Sequence, residues 1–458
     1  MASKRQKKKA FKTTKKVAKK YPIIVIFVLL VIIALVVVGI ILYKNGYFDK
    51  WFKKASEPTQ TTQTETHEVH KADDGYSENI IYNNFQIHFM ELGNKYTGDS
   101  TYIKAGDVDI LIDAGSRGGS ASTINEYIKN YCTDGKLEYV IATHAHQDHI
   151  SGFAGTSDSK AKNYKGEKVS KTGVLYYYEV GTIIDFSFKG EKKDAVNNKT
   201  ANSEDLGTST EYGKYLAARE YAVSKGAKHY TAKELWDSDK KSFTLADGIT
   251  MDILYNKFYF EAASNENDYS VCTMFNYNDK HFLLTGDLEH SGEEALANYY
   301  GDNLPHCELF KGGHHGSNTA SNECLLSKIT PSMCCVCCCA GATEYSPNSD
   351  IQFPSQEFIN RIAKYTSRVY VTTLFNEVTL KNESMNGNII VSFDGTNLGI
   401  KASNNLIRLK DTEWFNAEIY VDSKGNNVSG KTKEDFFTKD TPNVTKIKRR
   451  IWPANGVQ

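Results

Sequence analysis

The sequence predicts an α/β domain behind a single membrane-spanning helix, and three observations lead there. Short apolar runs of strand length, such as Tyr139-Val140-Ile141-Ala142 and Phe282-Leu283-Leu284, alternate with helix patterns. Several of these runs end in clusters of His, Asp and Gly. The first 54 residues have a different character, basic and then wholly apolar. Formal charge is zero, yet residues 1–54 hold 14 Lys/Arg against one acid, leaving 41 basic and 54 acidic residues beyond them. An acidic body counts against a storage or scaffolding role on nucleic acid, although it leaves nucleic acid open as a substrate.

Residues 1–21 read as a basic cytoplasmic tail, with ten Lys/Arg between Lys4 and Lys20. Ile23 to Leu42 then run for twenty residues without a charged or polar side chain. At about 1.5 Å per residue, that length crosses the roughly 30 Å of a bilayer core. Leu42-Tyr43-Lys44-Asn45 offers no small-residue cleavage site, so 22–42 is expected to be an uncleaved transmembrane helix. The excess of Lys/Arg before it places the N-terminus in the cytoplasm and everything after it outside. The expected location is therefore the cell membrane, single-pass, with an extracellular catalytic domain. Residues 43–79, rich in Thr, Gln, Glu and Lys, read as an extracellular linker in which His67 and His70 are solvated.

A folded domain is expected over 80–400. Phe85 to Met90 alternates like a strand; Ser100 to Lys104 and Val108 to Asp113 give two more, joined by a turn at Ala105-Gly106-Asp107. Ile124, Tyr127 and Ile128 mark a helix, and Tyr139 to Ala142 the next strand. Between 156 and 250 the reading is weakest. It gives strand-like pieces at Val174 to Tyr178 and Thr182 to Phe188, a polar insertion from Lys189 to Asp205, and a helix from Tyr212 to Lys225. Later strands fall at Lys280 to Leu284, Leu309 to Lys311, Cys334 to Cys339, Val369 to Thr372 and Asn388 to Phe393. Residues 401–458 form a polar C-terminal extension, whose basic cluster (Lys446, Lys448, Arg449, Arg450) reads as a solvated face. Nine cysteines, five of them within Cys334 to Cys339, make no disulfide framework, because neighbours on a strand face opposite ways. They read as small buried hydrophobes.

The chemistry concentrates at Thr143-His144-Ala145-His146-Gln147-Asp148-His149, directly after an apolar strand. Neutral imidazole and carboxylate are ligands of borderline divalent metals such as zinc. His144 and His146, two apart on extended chain, face one side; Asp148 and His149 lie where the chain turns and can face a second ion. Two further strands end in ligand types, Thr285-Gly286-Asp287 and Gly312-Gly313-His314-His315-Gly316-Ser317.

The His-x-His-x-Asp-His string resembles the hallmark of the metallo-β-lactamase superfamily. Five segments in order look like the extracellular hydrolase domain of ComEC-type competence proteins: Glu91-Leu92-Gly93 with Gly98-Asp99-Ser100, Leu111 to Gly115, Thr143 to His149, Leu284 to Asp287, and Gly313 to Ser317. The resemblance implies the αββα sandwich, two mixed sheets flanked by helices, with metals along one edge. It implies two divalent ions, zinc or else manganese. His144 and His146 would hold the first, Asp148, His149 and one of His314 and His315 the second, and Asp287 would bridge. His315 is favoured as the ligand, with His314 facing substrate; Asp148 and His314 serve the chemistry itself. Asp113, Asp99 and Ser317 would support the ligands from behind. Two ions about 3.5–4 Å apart can share a hydroxide nucleophile. The expected function is phosphoester or phosphodiester hydrolysis, on nucleic acid (possible DNA included) or a phosphate-bearing surface polymer. An amide or lactone hydrolase and a non-catalytic surface binding factor are the alternatives. The superfamily's third His on the first metal has one placed candidate, His229, which reads better as the cap of a surface helix. His281 and His290 read as strand-edge and surface residues. Only one span precedes the domain, so a role in DNA import does not transfer with the resemblance.

Overall fold

A computed structural model describes residues 76–93, 98–342, 346–429 and 444–458. Two mixed sheets face each other. The first has nine strands, in the order Tyr76–Glu78, Leu398–Ala402, Ile389–Phe393, Phe85–Phe89, Thr101–Ala105, Val108–Ile112, Lys136–Ala142, Glu179–Asp185 and Lys228–Thr231. The second has eight, in the order Ser242–Ala246, Ile249–Ile253, Thr273–Tyr277, Lys280–Leu284, Leu309–Lys311, Cys334–Ala340, Val369–Asn376 and Lys381–Ser384. In each sheet an antiparallel run passes into three parallel pairings. Among the parallel strands, Cys334–Ala340 is buried at every residue, which is why it reads as an unbroken apolar run.

The inner faces meet in one core, with Phe85 packed against Phe282 (ring centroids 5.1 Å) and Phe275 (6.1 Å). A second core lies between the eight-stranded sheet and helices Glu323–Ile329 and Gln356–Ile362. Cys334–Ala340 shows the period of two directly: Cys335 and Cys337 belong to the inner core, while Cys334, Val336 and Cys338 face the helices. All nine cysteines are free, and only Cys324 is not buried.

Four expectations are corrected. Among the described residues no helix is long and apolar enough to cross a membrane. The 22–42 span, like the tail, the linker up to residue 75 and His67 and His70, lies outside the described residues. With no such helix among the described residues, the membrane-spanning element of the expected fold and the single-pass location with an extracellular catalytic domain are withdrawn. That expectation rested on hydropathy, length, flanking charge and the lack of a cleavage site, which are local signals that nominate a span without placing one.

Val174 to Tyr178 is helical over Val174–Tyr177, started by Gly173 and packed between helices Gln147–Ala154 and Glu211–Ser224. Its aromatic, β-branched composition suggested a strand, and tertiary packing overrides that preference. His229 sits in a strand, where its Nε2 meets Asp185 Oδ1 at 2.8 Å beside Arg219 and Tyr215. The buried Asp185 needs such partners, so His229 is absorbed there. Finally, Arg449 and Arg450 are buried. Arg449 forms a paired contact with Glu377, while Arg450 donates to the carbonyls of Gln352 (2.7 Å) and Pro354 (2.8 Å). A run of charges says nothing about which members find buried acceptors.

A thiol reagent under native conditions should modify Cys324 quickly and the other eight slowly, whereas all nine should react after denaturation. Stoichiometric labelling followed by peptide mapping checks this.

Candidate metal centre

The strands Val108–Ile112, Lys136–Ala142, Lys280–Leu284 and Leu309–Lys311 all deliver polar residues just past their C-terminal ends. Asp113 follows the first in the left-handed region (φ 58°). That conformation costs about 1–3 kcal/mol in a non-glycine residue and persists only when its surroundings impose it. Here Asp113 Oδ1 accepts from the Thr143 backbone N–H (2.8 Å), and Oδ2 accepts from Thr143 Oγ1 and His149 Nδ1 (both 2.7 Å).

Past the second strand, Thr143 to His146 lead into helix Gln147–Ala154, so Asp148 and His149 occupy its first turn. A negative side chain is favoured at that end of a helix. Gly152 lets the helix press on the Asp113 loop: its N–H donates to Ala114 O at 3.0 Å, and a Cβ there would fall 2.0 Å from that oxygen. Gly286 (φ 58°) then turns Asp287 inward, where Cβ atoms of larger residues would lie 2.9 Å from Ser270 Oγ and Thr143 Cβ. His314 and His315 are both left-handed (φ 45° and 55°), which separates two adjacent side chains. His315 is buried, and His314 is 17% exposed. The Phe353 ring packs against both, at 5.6 and 5.9 Å. Because Arg450 is bonded to the carbonyl of Pro354 next to it, the C-terminal extension braces this floor.

The heteroatoms converge. His149 Nε2 lies 3.0 Å from Asp287 Oδ2; His315 Nε2 lies 3.3 Å from the same oxygen and 3.2 Å from Asp148 Oδ2. His144 Nε2 is 3.0 Å from His146 Nδ1 and 3.9 Å from Asp287 Oδ2. His144, His149 and Asp287 offer ligand atoms within 4.8 Å of one another, as do Asp148, His149 and His315.

The tautomers decide what these contacts mean. His149 Nδ1 faces the Asp113 carboxylate and His315 Nδ1 the carbonyl of Cys337 (2.9 Å), and both partners can only accept. In the neutral rings each Nδ1 therefore carries the hydrogen, and each Nε2 turns a lone pair toward carboxylate oxygens. That arrangement is repulsive unless a cation or proton stands between. Asp287 Oδ1 is also buried without a hydrogen-bond partner. Two nitrogens bound about 2.0–2.1 Å from one tetrahedral ion stand roughly 3.3 Å apart, close to the spacings found. The residues present fit divalent metal.

The electrostatics agree. Burial alone would lower His149 and His315, yet Asp287 with Asp113, and Asp287 with Asp99, hold them well above the usual imidazole range. Burial would raise Asp287, but His149 and His315 keep it well below the usual carboxylate range. His144 is pushed down by burial, then by His149 and His146.

Asp99 sits behind the ligands, with Oδ1 3.4 Å from His315 Nδ1 and an ion pair to the buried Lys311. Ser317 directs its hydroxyl to Asn318 and Thr319, while its N–H donates to His314 O (2.8 Å). His229 stays at Asp185; His281 bonds Asn276 (2.7 Å), and His290 is exposed at a helix start. Lys311, Glu289, Asn267 and Ser270 were not foreseen. Lys311 Nζ donates to Gly286 O (3.3 Å), and Ser270 Oγ meets His144 Nδ1 at 3.4 Å. Glu289 Oε1 accepts from His314 Nδ1 (3.1 Å), Asn267 Nδ2 (2.9 Å) and Thr319 Oγ1 (2.9 Å). A lysine ending the apolar strand Leu309–Lys311 was the one signal that could have flagged the first of these.

The sequence model of the metallo-β-lactamase superfamily matches residues 93–164. The chain is 47% identical over 49 residues to Competence protein ComA of Neisseria gonorrhoeae, covering 11% of this chain and 7% of that protein. It is 25% identical over 150 residues to Recombination protein 2 of Haemophilus influenzae, covering 33% and 16%. The chain thus spans well under a fifth of the length of either curated relative. Among solved structures, the metallo-β-lactamase fold protein YhfI of Bacillus subtilis aligns over 63% of this chain and 95% of its own, at 9% identity and TM-score 0.32. Human tRNase Z, short form, aligns over 66% and 99%, at 11% identity and TM-score 0.28.

Asp113→Asn, which leaves His149 without its charged acceptor, should weaken metal binding about 10–100-fold. Competition against a chromogenic chelator measures it. Since His149 and His315 are held protonated above their usual range and a ligand imidazole must be neutral, metal uptake should release protons, and affinity should rise with pH. Calorimetry in buffers of different ionisation enthalpy reads that release.

Proposed function

We propose that this chain is a metal-dependent hydrolase of the metallo-β-lactamase superfamily, whose sequence model matches residues 93–164, and that it cleaves a phosphodiester, with nucleic acid as the favoured polymer. The observation that carries the reading is the convergence on Asp287 Oδ2, which lies 3.0 Å from His149 Nε2, 3.3 Å from His315 Nε2 and 3.9 Å from His144 Nε2, with Asp148 Oδ2 3.2 Å from His315 Nε2. In the proposed assignment His144 and His146 would hold one ion, Asp148, His149 and His315 a second, and Asp287 would be shared. Zinc suits the donor set, and manganese is the alternative. Divalent ions held there supply Lewis acidity, which makes water a nucleophile near neutral pH and draws on the substrate's non-bridging oxygens.

The protein's own groups supply orientation and proton transfer. Asp113 and the Cys337 carbonyl fix the rings of His149 and His315 by holding their Nδ1 hydrogens. Lys311 offsets part of the charge of Asp99, one of four buried carboxylates that also include Asp113, Asp148 and Asp287. His314 is held by Glu289 through Nδ1, and its Nε2 lies 3.9 Å from Asp287 Oδ2 at the open side of the cluster. There it can donate a proton to the oxygen that leaves. Diester chemistry needs such a donor when the leaving group is an alkoxide. Competence and recombination, the words in the two relatives' names, support a nucleic-acid substrate.

The full-length chain, loaded with zinc or manganese, should hydrolyse bis(p-nitrophenyl) phosphate and single-stranded DNA and leave a chromogenic β-lactam intact. His146→Ala should lower both activities on the order of 100-fold or more. Turnover of the lactam alone would overturn the phosphodiester reading, and full metal occupancy with no hydrolysis would point to binding without catalysis.

His314→Ala should slow cleavage of DNA far more than cleavage of bis(p-nitrophenyl) phosphate, whose phenolate departs without a proton. Equal losses on the two substrates would remove His314 from proton transfer.

A further inference from the structure

Beside the metal centre, on the same edge of the eight-stranded sheet, four aromatic rings gather at the surface. Strand Ile249–Ile253 ends there: Ile253 pairs with Thr273, which pairs with Leu284, the strand end that leads to Asp287. The two strand ends are thus about 10 Å apart across the sheet. Tyr255 follows Ile253 and stacks on Tyr299 (centroids 4.1 Å, planes 15° apart) and on Phe260 (6.2 Å, 25°). Trp236 meets Tyr255 and Tyr299 edge-on at 5.5 and 5.7 Å.

Local bonds hold the group. Trp236 Nε1 donates to Ile253 O (3.1 Å), and the Tyr255 N–H donates to Tyr300 Oη (3.1 Å). Yet Tyr299 is 54% and Phe260 40% exposed. A contiguous group of rings fixed in place by their neighbours and still open to water is the kind of surface that a ligand covers.

The surroundings favour one ligand chemistry. Lys233 Nζ lies 5.6 Å from the Phe260 ring centre, and Lys241 Nζ 4.7 Å from that of Trp236. Both ammoniums are engaged by acids, Asp237 and Asp239, that are themselves at least half exposed. Ion pairs so open to water are weak, so a phosphate can take over either cation at little loss. Aromatic faces for bases, with cations beside them for phosphates, are what a single strand without fixed sequence requires. The path to the catalytic residues is also built in. The connection that carries Tyr255 and Phe260 continues to Asn267, 3.4 Å from His314 Nδ1, and to Ser270, 3.4 Å from His144 Nδ1.

From this juxtaposition we infer that Tyr299, Phe260 and Trp236, with Lys233 and Lys241, form a stacking platform for single-stranded nucleic acid, holding the strand whose phosphodiester lies at the metal centre. The inference rests on the phosphodiester reading and names the form of substrate that reading leaves open: unpaired bases, engaged a short way along the sheet edge from the bond that is cut.

The test uses the full-length chain with its metals chelated, so that nothing is cleaved, and a fluorescent oligo(dT) of about a dozen nucleotides followed by anisotropy. Tyr299→Ala and Phe260→Ala should each weaken binding about tenfold, the loss expected when one base gives up its aromatic partner. After metal reconstitution, the same variants should hydrolyse bis(p-nitrophenyl) phosphate at the wild-type rate, since that ester is too small to reach the rings. Lys233→Glu, at a surface position where folding is not at stake, should also weaken binding and make it less sensitive to salt. The platform is overturned if the wild type does not bind the oligonucleotide. It is overturned equally if all three variants bind like wild type, or if duplex DNA or a neutral glucan competes as well as oligo(dT). A wild type that binds oligo(dT) through these rings but cleaves neither DNA nor the small diester would leave the platform standing and sink the phosphodiester reading instead.

Discussion

Four carboxylates and three imidazoles meet in a buried space, and the imidazole lone pairs that face the carboxylates have no hydrogen to offer when the rings are neutral. That mismatch is the constraint around which the domain is arranged. A buried charge without a partner is among the most destabilising features a fold can carry. Lys311 answers for one carboxylate; the remainder calls for cations from outside or protons on His149 and His315. Structure and chemistry therefore share one cause, since the charges that this fold buries with too few partners are the ones suited to hold metal.

Holding that mismatch in place takes backbone that most residues resist. Asp113, His314 and His315 all adopt left-handed conformations, and each stands where a strand has just ended. The sheets supply the rigidity that makes this possible: parallel strands fix the loop origins, and close contacts such as Gly152 on Ala114 allow little room for relaxation. Parts distant in sequence add to the clamp. The 156–250 region contributes two strands to the end of the first sheet, and its helix Glu211–Ser224 bonds Ser151 in the ligand helix (2.9 Å) through Glu211. The C-terminal extension contributes Arg450, which secures the loop under the two histidines.

The same architecture explains how chemistry and substrate choice can be divided. The candidate ligands sit at the ends of parallel strands, while the loop from Tyr255 to Ser270 runs between the aromatic surface and the imidazoles. A long connection at a strand end can change its surface without moving the residues that anchor it, which is how loops carry function on a stable scaffold.

By itself the sequence determined the strand ends and which residue types close them. Apolar runs closed by His-x-His-x-Asp-His, Gly-Asp and Gly-His-His-Gly are local patterns, and local patterns survive in one dimension. The tertiary structure alone decided what depends on distance between remote residues. It gave Lys311 to Asp99, Glu289 to His314 and His229 to Asp185, turned Val174–Tyr177 into a helix, and buried two arginines of an apparently solvated cluster. A side chain's type states what it can bind, but its partner depends on which surfaces the packed sheets bring together, and no stretch of neighbouring residues records that.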